Sequence, residues 1–278
     1  MQIIHTAHET HTLRRQNSAR TIGFVPTMGA LHAGHLSLVH AAIKRCDLVV
    51  VSIFVNPTQF GPSEDFTRYP RTFEQDCELL KNAAVDFLFA PSTEEMYPPG
   101  ASTFVTVEAL SDRLDGKSRP GHFRGVATIV SKLFHLVQPD VAFFGQKDAA
   151  QIAVIRKMVR DQNFPVEIVA CPIVREPDGL AMSSRNVYLT NEERKSALAL
   201  SRSLQKVEQL FKSGNRNVEE LILAGKQTLA EDPGVKLDYF SIVNPDTLED
   251  IHALDPPALV AVAAYVSKTR LIDNIVLN

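Results

Sequence analysis

The sequence predicts an α/β protein, with a Rossmann-like parallel sheet covered by helices on both faces and a smaller C-terminal α+β domain. Up to about Val174, short apolar runs alternate with segments of helical periodicity. Strands buried on both faces of a parallel sheet are expected to be apolar along their whole length, as these runs are. Beyond this point two helical segments are followed by three strands, a pattern typical of α+β architecture.

The elements follow one another with clear turn signals between them. In the first part the predicted strands are Ile22–Val25, Leu48–Val55, Phe87–Phe89, Val141–Phe144 and Val166–Val174, and the predicted helices are His35–Cys46, Thr72–Ala84, Val126–Val137 and Ala149–Gln162. In the second part the predicted helices are Asn191–Phe211 and Val218–Leu229, and the strands are Leu237–Val243, Ala258–Val266 and Leu271–Val276. The turn Arg175–Gly179 separates the two parts, which predicts domains 1–175 and 176–278.

Composition narrows the classes of partner. The 278 residues carry a net charge of −3, which gives no electrostatic reason to expect nucleic acid. The longest apolar run, Leu48–Val55, is far too short to span a membrane, and the N-terminus lacks a signal-peptide pattern. Three separated cysteines without a C-x-x-C spacing favour free thiols in a reducing compartment. We therefore expect a cytoplasmic protein that binds neither nucleic acid nor a membrane.

The most informative motif joins the first predicted strand of the sheet to the next helix. It contains His32, Gly34 and His35 in a loop of small residues. A helix N-terminus presents unpaired N–H groups and a positive dipole end, which attract phosphate. Two imidazoles add donors that can follow charge developing on a phosphoryl group. Histidines at a helix start can also be incidental, and zinc is disfavoured because no matching ligands lie nearby; the setting favours phosphate.

Polar side chains also follow two later strands. Asn56 and Gln59 come after the second predicted strand, and neutral amides suit a hydroxyl or a carboxylate. Lys147 and Asp148 come after the fourth, where they could bind phosphate and Mg²⁺, and Gln151 lies one turn later. A polar turn and a solvated Lys–Asp pair are the structural alternatives.

Two further loops carry positive charge. Between the domains, Ser183, Ser184 and Arg185 could grip several phosphate oxygens and close over a ligand, although each alone could belong to a polar linker. The segment Ser118–Gly125 contributes a second group of cationic residues before an apolar helix. Among the acidic residues, Asp76 is a candidate metal ligand, with a solvated helix charge as the alternative.

Taken in order, these segments resemble the pantoate–β-alanine ligase family. The matching stretches are Pro26–His35, Asn56–Gly61, Gly121–Gly125, Phe144–Asp148 and Met182–Asn186. The histidine pair alone is shared with a broad superfamily of nucleotidyltransferases and class I aminoacyl-tRNA synthetases, whereas the complete ordered set is specific. The resemblance covers nearly the whole chain and is weakest after Glu192.

The resemblance implies an enzyme that joins pantoate to β-alanine through a pantoyl-adenylate, with ATP and Mg²⁺, releasing AMP and pyrophosphate. It implies a homodimer, a domain 1–175 that binds ATP and pantoate, and a domain 176–278 that closes over the site. The implied ATP contacts are Met28, His32, His35, Gly145, Lys147, Asp148, Met182, Ser183, Ser184 and Arg185, among which His32, His35, Lys147 and Arg185 form the catalytic set. The implied pantoate contacts are Gln59, Gln151 and Met28.

One residue departs from the family pattern, and two other functions stay open. Gln146 stands where the family usually has Glu, which removes a charge beside Lys147. A nucleotidylyltransferase with a phosphate acceptor would share the same motifs, and a regulatory nucleotide-binding module would keep the fold without the chemistry. A tRNA-charging enzyme is disfavoured because the chain has no basic surplus and no room for an anticodon domain. No side chain is an obvious base for the amine substrate.

Overall fold

Six parallel strands form the main sheet of this computed structural model, which describes residues 1–62 and 64–278. The strands are β1 (Gln2–Ile4), β2 (Ile22–Thr27), β3 (Leu48–Ile53), β4 (Phe87–Phe89), β5 (Val141–Gly145) and β6 (Glu167–Cys171). Their order in the sheet is β1-β4-β3-β2-β5-β6. The chain winds outwards in opposite directions from β2 and β5, so the crevice beyond their carboxyl ends is the topological switch point at which such sheets bind ligands.

Helices cover both faces of this sheet, as predicted. They are α1 (Ala7–Gln16), α2 (Ala33–Arg45), α3 (Phe73–Asn82), α4 (Thr93–Met96), α5 (Asp115–Ser118), α6 (His122–Val137) and α7 (Ala149–Asp161). Successive strand residues point to opposite faces. Phe24 and Val50 pack with α1, α6 and α7, whereas Val25 and Val51 pack with α2 and α3. Burial on both faces explains why these strands are apolar throughout.

The N-terminal elements β1 and α1 were not predicted. β1 has only three residues, and α1 buries little more than Thr10 and Leu13, so neither produces a clear hydrophobic period. A local signal was nevertheless present, because Thr6 and Glu9 form a capping box at the start of α1. β1 then pairs with β4 at the edge of the sheet.

The C-terminal part is an antiparallel sheet covered by two helices. Its elements are α8 (Asn191–Lys212), α9 (Val218–Ala230), β7 (Val235–Val243), β8 (Ala258–Val266) and β9 (Thr269–Leu277), with β8 central. Leu259 and Ala261 of β8 join the core of the N-terminal part, and Val260 and Val262 pack with α8 and α9. The small sheet is therefore buried on both faces, which confirms the predicted combination of fold classes.

The structure bears on two expectations drawn from composition, those on membrane-spanning segments and on cysteines. Within residues 1–62 and 64–278, no helix is both long enough and apolar enough to cross a membrane. Cys46, Cys77 and Cys171 are free thiols, and burial raises the pKa of each.

The contact between α9 and β7 depends on a glycine. A Cβ at Gly225 would lie 2.2 Å from Cζ of the buried Phe240 ring. We expect Gly225→Ala to lower the free energy of unfolding by about 1–3 kcal/mol through overpacking, although Ala is the better helix former. Urea unfolding measures this, with Leu223→Ala as control, because Leu223 lies on the same helix and is 55% exposed. Equal stability of both variants would contradict this packing.

Candidate active site

A cavity of about 220 Å³ lies at the switch point, beyond the carboxyl ends of β2 and β5. The structure brings all the residues predicted to contact ATP or pantoate into its wall. They are Met28, His32, His35, Gln59, Gly145, Lys147, Asp148, Gln151, Met182, Ser183, Ser184 and Arg185. A second cavity of about 680 Å³ adjoins it, shares Lys147, Asp148, Ser183 and Arg185, and extends towards β9.

The two histidines form the N-terminal cap of α2. The Gly34 N–H donates to Nδ1 of His32 at 3.1 Å, and the His32 N–H donates to Nδ1 of His35 at 3.3 Å. Gly34 is required here because a Cβ would lie 2.8 Å from Cε1 of His32. Since both Nδ1 atoms accept hydrogen bonds, the proton of each neutral ring lies on Nε2. The caps thus leave two Nε2–H donors on rings that line the cavity.

Both imidazoles are held in the neutral form. Burial, and then the neighbouring His32, lower the pKa of His35 to about 3. Burial and the charge of Lys147 also lower the pKa of His32. The ring centroids are 4.0 Å apart, a separation at which two cations would repel strongly. At neutral pH the pair therefore offers uncharged donors.

The candidate metal ligand Asp76 has a different role. It does not line the cavity, and it is 1% exposed. Its carboxylate accepts the N–H groups of Ala30 and Leu31, each at 2.9 Å, and the Thr72 hydroxyl at 3.1 Å. Gly29 and Ala30 have positive φ angles of 81° and 50°, so this turn needs external hydrogen bonds to hold it. Asp76 therefore fixes the loop that leads to the histidines, and this structural role replaces the metal-ligand role expected from the sequence.

The amide of Gln59 is oriented by its neighbour. Nδ2 of the buried Asn56 donates to Oε1 of Gln59 at 3.0 Å and to the Gly125 carbonyl at 3.1 Å. Oδ1 of Asn56 accepts the hydroxyls of Thr58 and Tyr97. Because Oε1 of Gln59 is already engaged, its Nε2 is the available group, and it contacts Sδ of Met28 at 3.1 Å. The side chain therefore presents a donor to the cavity.

The backbone of Gln59 is held by α6. Nδ1–H of His122 donates to the Gln59 carbonyl at 2.8 Å, and Nε2 of the same ring accepts from Arg119 at 3.0 Å. Burial and the charge of Arg119 lower the pKa of His122 to about 4. Gly125 allows the close approach, since a Cβ there would lie 2.3 Å from the Thr58 carbonyl oxygen.

The two cationic side chains of the predicted catalytic set have different surroundings. Lys147 lies on a single turn of 3₁₀ helix after β5, and its Nζ is 3.5 Å from Asp148. Arg185 donates through Nε and Nη2 to both oxygens of Asp65, each at 2.9 Å, and lies over the Tyr69 ring. Burial opposes ionisation of Asp65, but hydrogen bonds and the charge of Arg185 outweigh it and lower the pKa. Only Nη1 of Arg185 lies outside this pair.

The segment that carries Met182 is placed by a turn. Arg175 and Ala181 form an isolated antiparallel bridge around the predicted turn, and the Met182 N–H donates to the Val174 carbonyl. Met182 packs beside Gly34, and the Ser184 hydroxyl donates to the Ala30 carbonyl at 3.1 Å. The inter-domain loop is thus tied to the histidine loop.

Several residues of the site had no clear sequence signal. Tyr69 lines the cavity beneath Arg185 but follows no recognisable pattern. Asp65 appears in sequence as one acid among many, and only the fold reveals its pairing with Arg185. Asn274 of β9 contacts Gln146 and Lys147 across 128 and 127 residues of chain. Such distant pairs carry no local spacing that could predict them.

The doubly wound sheet, the capped helix N-terminus and the lysine at the switch point define a doubly wound α/β protein with a ligand cavity suited to phosphate. The family model described as pantoate-beta-alanine ligase matches residues 2–276. The chain belongs to the pantoate–β-alanine ligase family and is an enzyme of that family.

Relatives and solved structures agree with this assignment. Pantothenate synthetase of Acidobacterium capsulatum is 63% identical over 93% of this chain and 87% of its own length. That of Thermotoga neapolitana is 58% identical over 100% of both chains. Pantothenate synthetase from Thermus thermophilus has a TM-score of 0.95 at 49% identity, covering 99% of each chain. Pantoate-beta-alanine ligase from Francisella tularensis, complexed with beta-gamma ATP and beta-alanine, has a TM-score of 0.82 at 37% identity, covering 99% of this chain and 97% of its own.

The neutral histidines predict a loss of stability in acid. His122 titrates with a pKa of about 4 when folded and about 6.5 when unfolded, so the unfolded state binds more protons as the pH falls through that window. We expect the free energy of unfolding to be constant above about pH 6.5 and to fall by about 2 kcal/mol at pH 5 from this residue alone.

Urea unfolding at pH 7 and pH 5 tests this with His122→Asn, which should show a smaller drop than the parent protein. His8→Ala, at an exposed position of α1, is the control and should keep the full drop. Parallel drops in the parent and in His122→Asn would show that His122 is not held neutral.

Proposed function

We propose that the enzyme condenses pantoate with β-alanine to pantothenate through a pantoyl-adenylate, consuming ATP and releasing AMP and pyrophosphate. One observation carries the proposal. A single cavity combines hydrogen-bond donors suited to phosphate with two amide side chains and apolar residues. His32, His35 and Lys147 supply the donors, and Gln59 and Gln151 supply the amides. The ATP analogue and β-alanine named for the Francisella tularensis relative support the same substrates here.

The cavity suits pantoate, which carries a carboxylate, two hydroxyls and a dimethyl carbon. Nε2 of Gln59 would donate to its oxygen atoms, and the amide of Gln151 lies in the same cavity wall. Val126, Ile129 and Val130 of α6 line the same cavity and would pack against the methyl groups. Hydrogen bonds to fixed amides discriminate strongly against analogues that lack the partner oxygen.

The first half-reaction transfers the adenylyl group. A pantoate carboxylate oxygen attacks the α-phosphorus of ATP, the bond to the bridging α–β oxygen breaks, and pyrophosphate leaves. Nε2–H of His32 and of His35 would donate to α-phosphate oxygens, and Lys147 would neutralise the developing charge. Ser183, Ser184 and Nη1 of Arg185 would contact the outer phosphates, while Asp65 holds the rest of the guanidinium.

The second half-reaction forms the amide bond. The β-alanine amine attacks the acyl carbon, the carbon–oxygen bond to AMP breaks, and the amine proton passes to solvent. The adenylate must be protected from water in the meantime. The apolar wall of α6 and the segment Met182–Arg185 would exclude water from opposite sides.

Mg²⁺ is proposed to enter as part of the MgATP substrate. Among residues 1–62 and 64–278, no group of three or more His, Cys, Asp or Glu side chains is arranged to hold a metal ion. Mg²⁺ commonly binds substrate phosphates and one or two carboxylates, and retains several waters. Asp148 lies in the cavity wall beside Lys147 and is the carboxylate proposed to meet it.

Gly145, Met182 and Met28 would complete the nucleotide contacts. Gly145 leaves open space at the end of β5, where the sugar would lie, and Met182 would lie near the adenine. The homodimer stays a prediction from the family resemblance, and sedimentation velocity tests it. The cytoplasmic location stays a prediction from the composition of the sequence.

The test of function is incubation with ATP, Mg²⁺, pantoate and β-alanine, followed by measurement of AMP and pantothenate. Isotope exchange between ATP and pyrophosphate that requires pantoate would support the adenylate. Exchange that requires a phosphorylated acceptor instead would indicate the alternative nucleotidylyltransferase, and absence of both exchange and AMP would indicate a binding module.

Lys147 and His35 are expected to act on transition-state charge. Lys147→Ala and His35→Ala should each lower the rate of pantoate-dependent exchange by about 10²–10³-fold, because each removes a donor to developing charge. The matched controls are Lys157→Ala, an exposed lysine of α7 paired with Asp161, and His8→Ala. Near-normal exchange in either test variant would refute the role of that residue.

Gln59 is expected to act on pantoate binding. Gln59→Ala should raise the KM for pantoate by about 10-fold and leave the KM for ATP within twofold, because it leaves a substrate oxygen without its donor. Steady-state kinetics with each substrate varied separately measures this. A change confined to the KM for ATP would show that Gln59 contacts ATP and not pantoate, and would contradict the assignment.

A further inference from the structure

Asn274 of β9 forms a buried link between the C-terminal sheet and the loop that carries Lys147. The residue is 3% exposed. Its Nδ2 donates to the carbonyl of Gln146 at 3.0 Å and to the carbonyl of Lys147 at 2.9 Å. Its Oδ1 accepts from Nε2 of Gln146 at 3.2 Å. One amide side chain therefore contacts both residues of this loop that precede Asp148.

The loop needs an external partner of this kind. Residues Gln146–Asp148 form a single 3₁₀ turn between β5 and α7, with no side-chain cap at its start. Carbonyl groups of so short a turn have few partners within it. Burying them without donors would be costly, and a side chain with two N–H donors satisfies two adjacent carbonyls at once.

We infer that Asn274 is a positioning residue for Lys147 and sets the place of the lysine ammonium in the cavity. This inference rests on the proposed role of Lys147 towards the phosphates of ATP. Asn274 does not line the cavity, so it acts through the backbone of the lysine and not by touching a substrate. Displacements of about 1 Å at a catalytic group can cost about 100-fold in rate.

The neighbouring contacts of β9 make Asn274 a fixed reference point. Both oxygens of Asp273 accept from Arg175, at 2.7 and 3.0 Å, and one of them also accepts the Asn274 N–H at 2.8 Å. Further along the strand, Arg270 pairs with Asp115 at 2.6 Å and with Asp238 at 2.8 Å. The position of Asn274 is therefore fixed by contacts of its own strand, independently of the lysine loop.

The side chain of Gln146 is the second partner in this link. Its amide completes the bonding of Asn274 by donating to Oδ1, which fixes the Nδ2 group towards the two carbonyls. A carboxylate at this position could not donate in the same way unless protonated. Gln146 thus supports the Lys147 loop through Asn274, although the residue itself is absent from the cavity wall.

A double-mutant cycle with Lys147 tests this role. Asn274→Ala should lower kcat for pantoate-dependent exchange roughly 10- to 100-fold and leave the KM for pantoate within twofold. In a Lys147→Ala background the same substitution should have no further effect on kcat, because the group that it positions is gone. Gln146→Ala should behave in the same way with a smaller, several-fold change, since it leaves the Nδ2 bonds in place.

The matched control is Arg113→Ala. Arg113 also joins the two parts of the chain, through Glu249 at 2.9 Å, but lies outside the cavity wall. Arg113→Ala should leave kcat within twofold both in the parent protein and in Lys147→Ala. This result would distinguish a positioning role of Asn274 from a general loosening of the domain contact. If Asn274→Ala does not fold, Gln146→Ala carries the same cycle.

The outcomes distinguish this inference from the proposed function. If Lys147→Ala retains full activity, the proposed role of the lysine fails. If Lys147→Ala is impaired but Asn274→Ala lowers kcat by the same factor with and without the lysine, the positioning role is overturned while the proposed function stands. A loss that disappears with the lysine supports both.

Discussion

The cavity depends on hydrogen bonds that engage one polar atom of each of three side chains in its wall and leave the other atom available to a ligand. Nδ1 of His32 and of His35 accept backbone N–H groups, and Oε1 of Gln59 accepts the Asn56 amide. The groups that remain are Nε2 donors on all three side chains. A wall of donors fits a ligand rich in acceptors, such as a carboxylate beside a phosphate. The hydrogen bonds within the protein therefore decide which atoms remain to bind a ligand, and so which ligands fit.

In the proposed reaction, two neutral imidazoles and one lysine share the stabilisation of charge on the phosphates. Charged imidazoles at this depth would be expensive to bury, and the low pKa of His35 shows that the neutral form is favoured. Neutral donors also bind a resting phosphate less tightly than cations do, while still strengthening as charge develops. Lys147, with Asp148 beside it, supplies the full charge from a separate loop.

The sequence was sufficient for five of the six strands of the sheet and for most of the cavity wall, because strand ends of a parallel sheet gather at one edge. His32, Gln59 and Lys147 follow three different strands and could be placed together on that ground alone. The sequence was insufficient for polar residues whose partners lie far away along the chain. Asp76 is spaced like any helix acid, and its true partners are backbone groups of a loop 45 residues earlier. Asn274 was missed for the same reason, since its partners lie 127 residues away.

The contact between the two parts of the chain restricts how the site can close. Leu259 and Ala261 are buried within the core of the N-terminal part, and β9 adds the pair between the partly exposed Arg175 and the buried Asp273. A rigid-body opening would expose the apolar residues and leave Asp273, which is 4% exposed, without its partner. Movement of the segment Met182–Arg185 alone would keep the pair across β9 but would break the Arg185–Asp65 pair and the hydrogen bond from Ser184 to Ala30. Either movement therefore breaks paired polar groups, so the contacts on both sides of the cavity favour a preformed site in which the Lys147 loop and the histidine loop keep one arrangement.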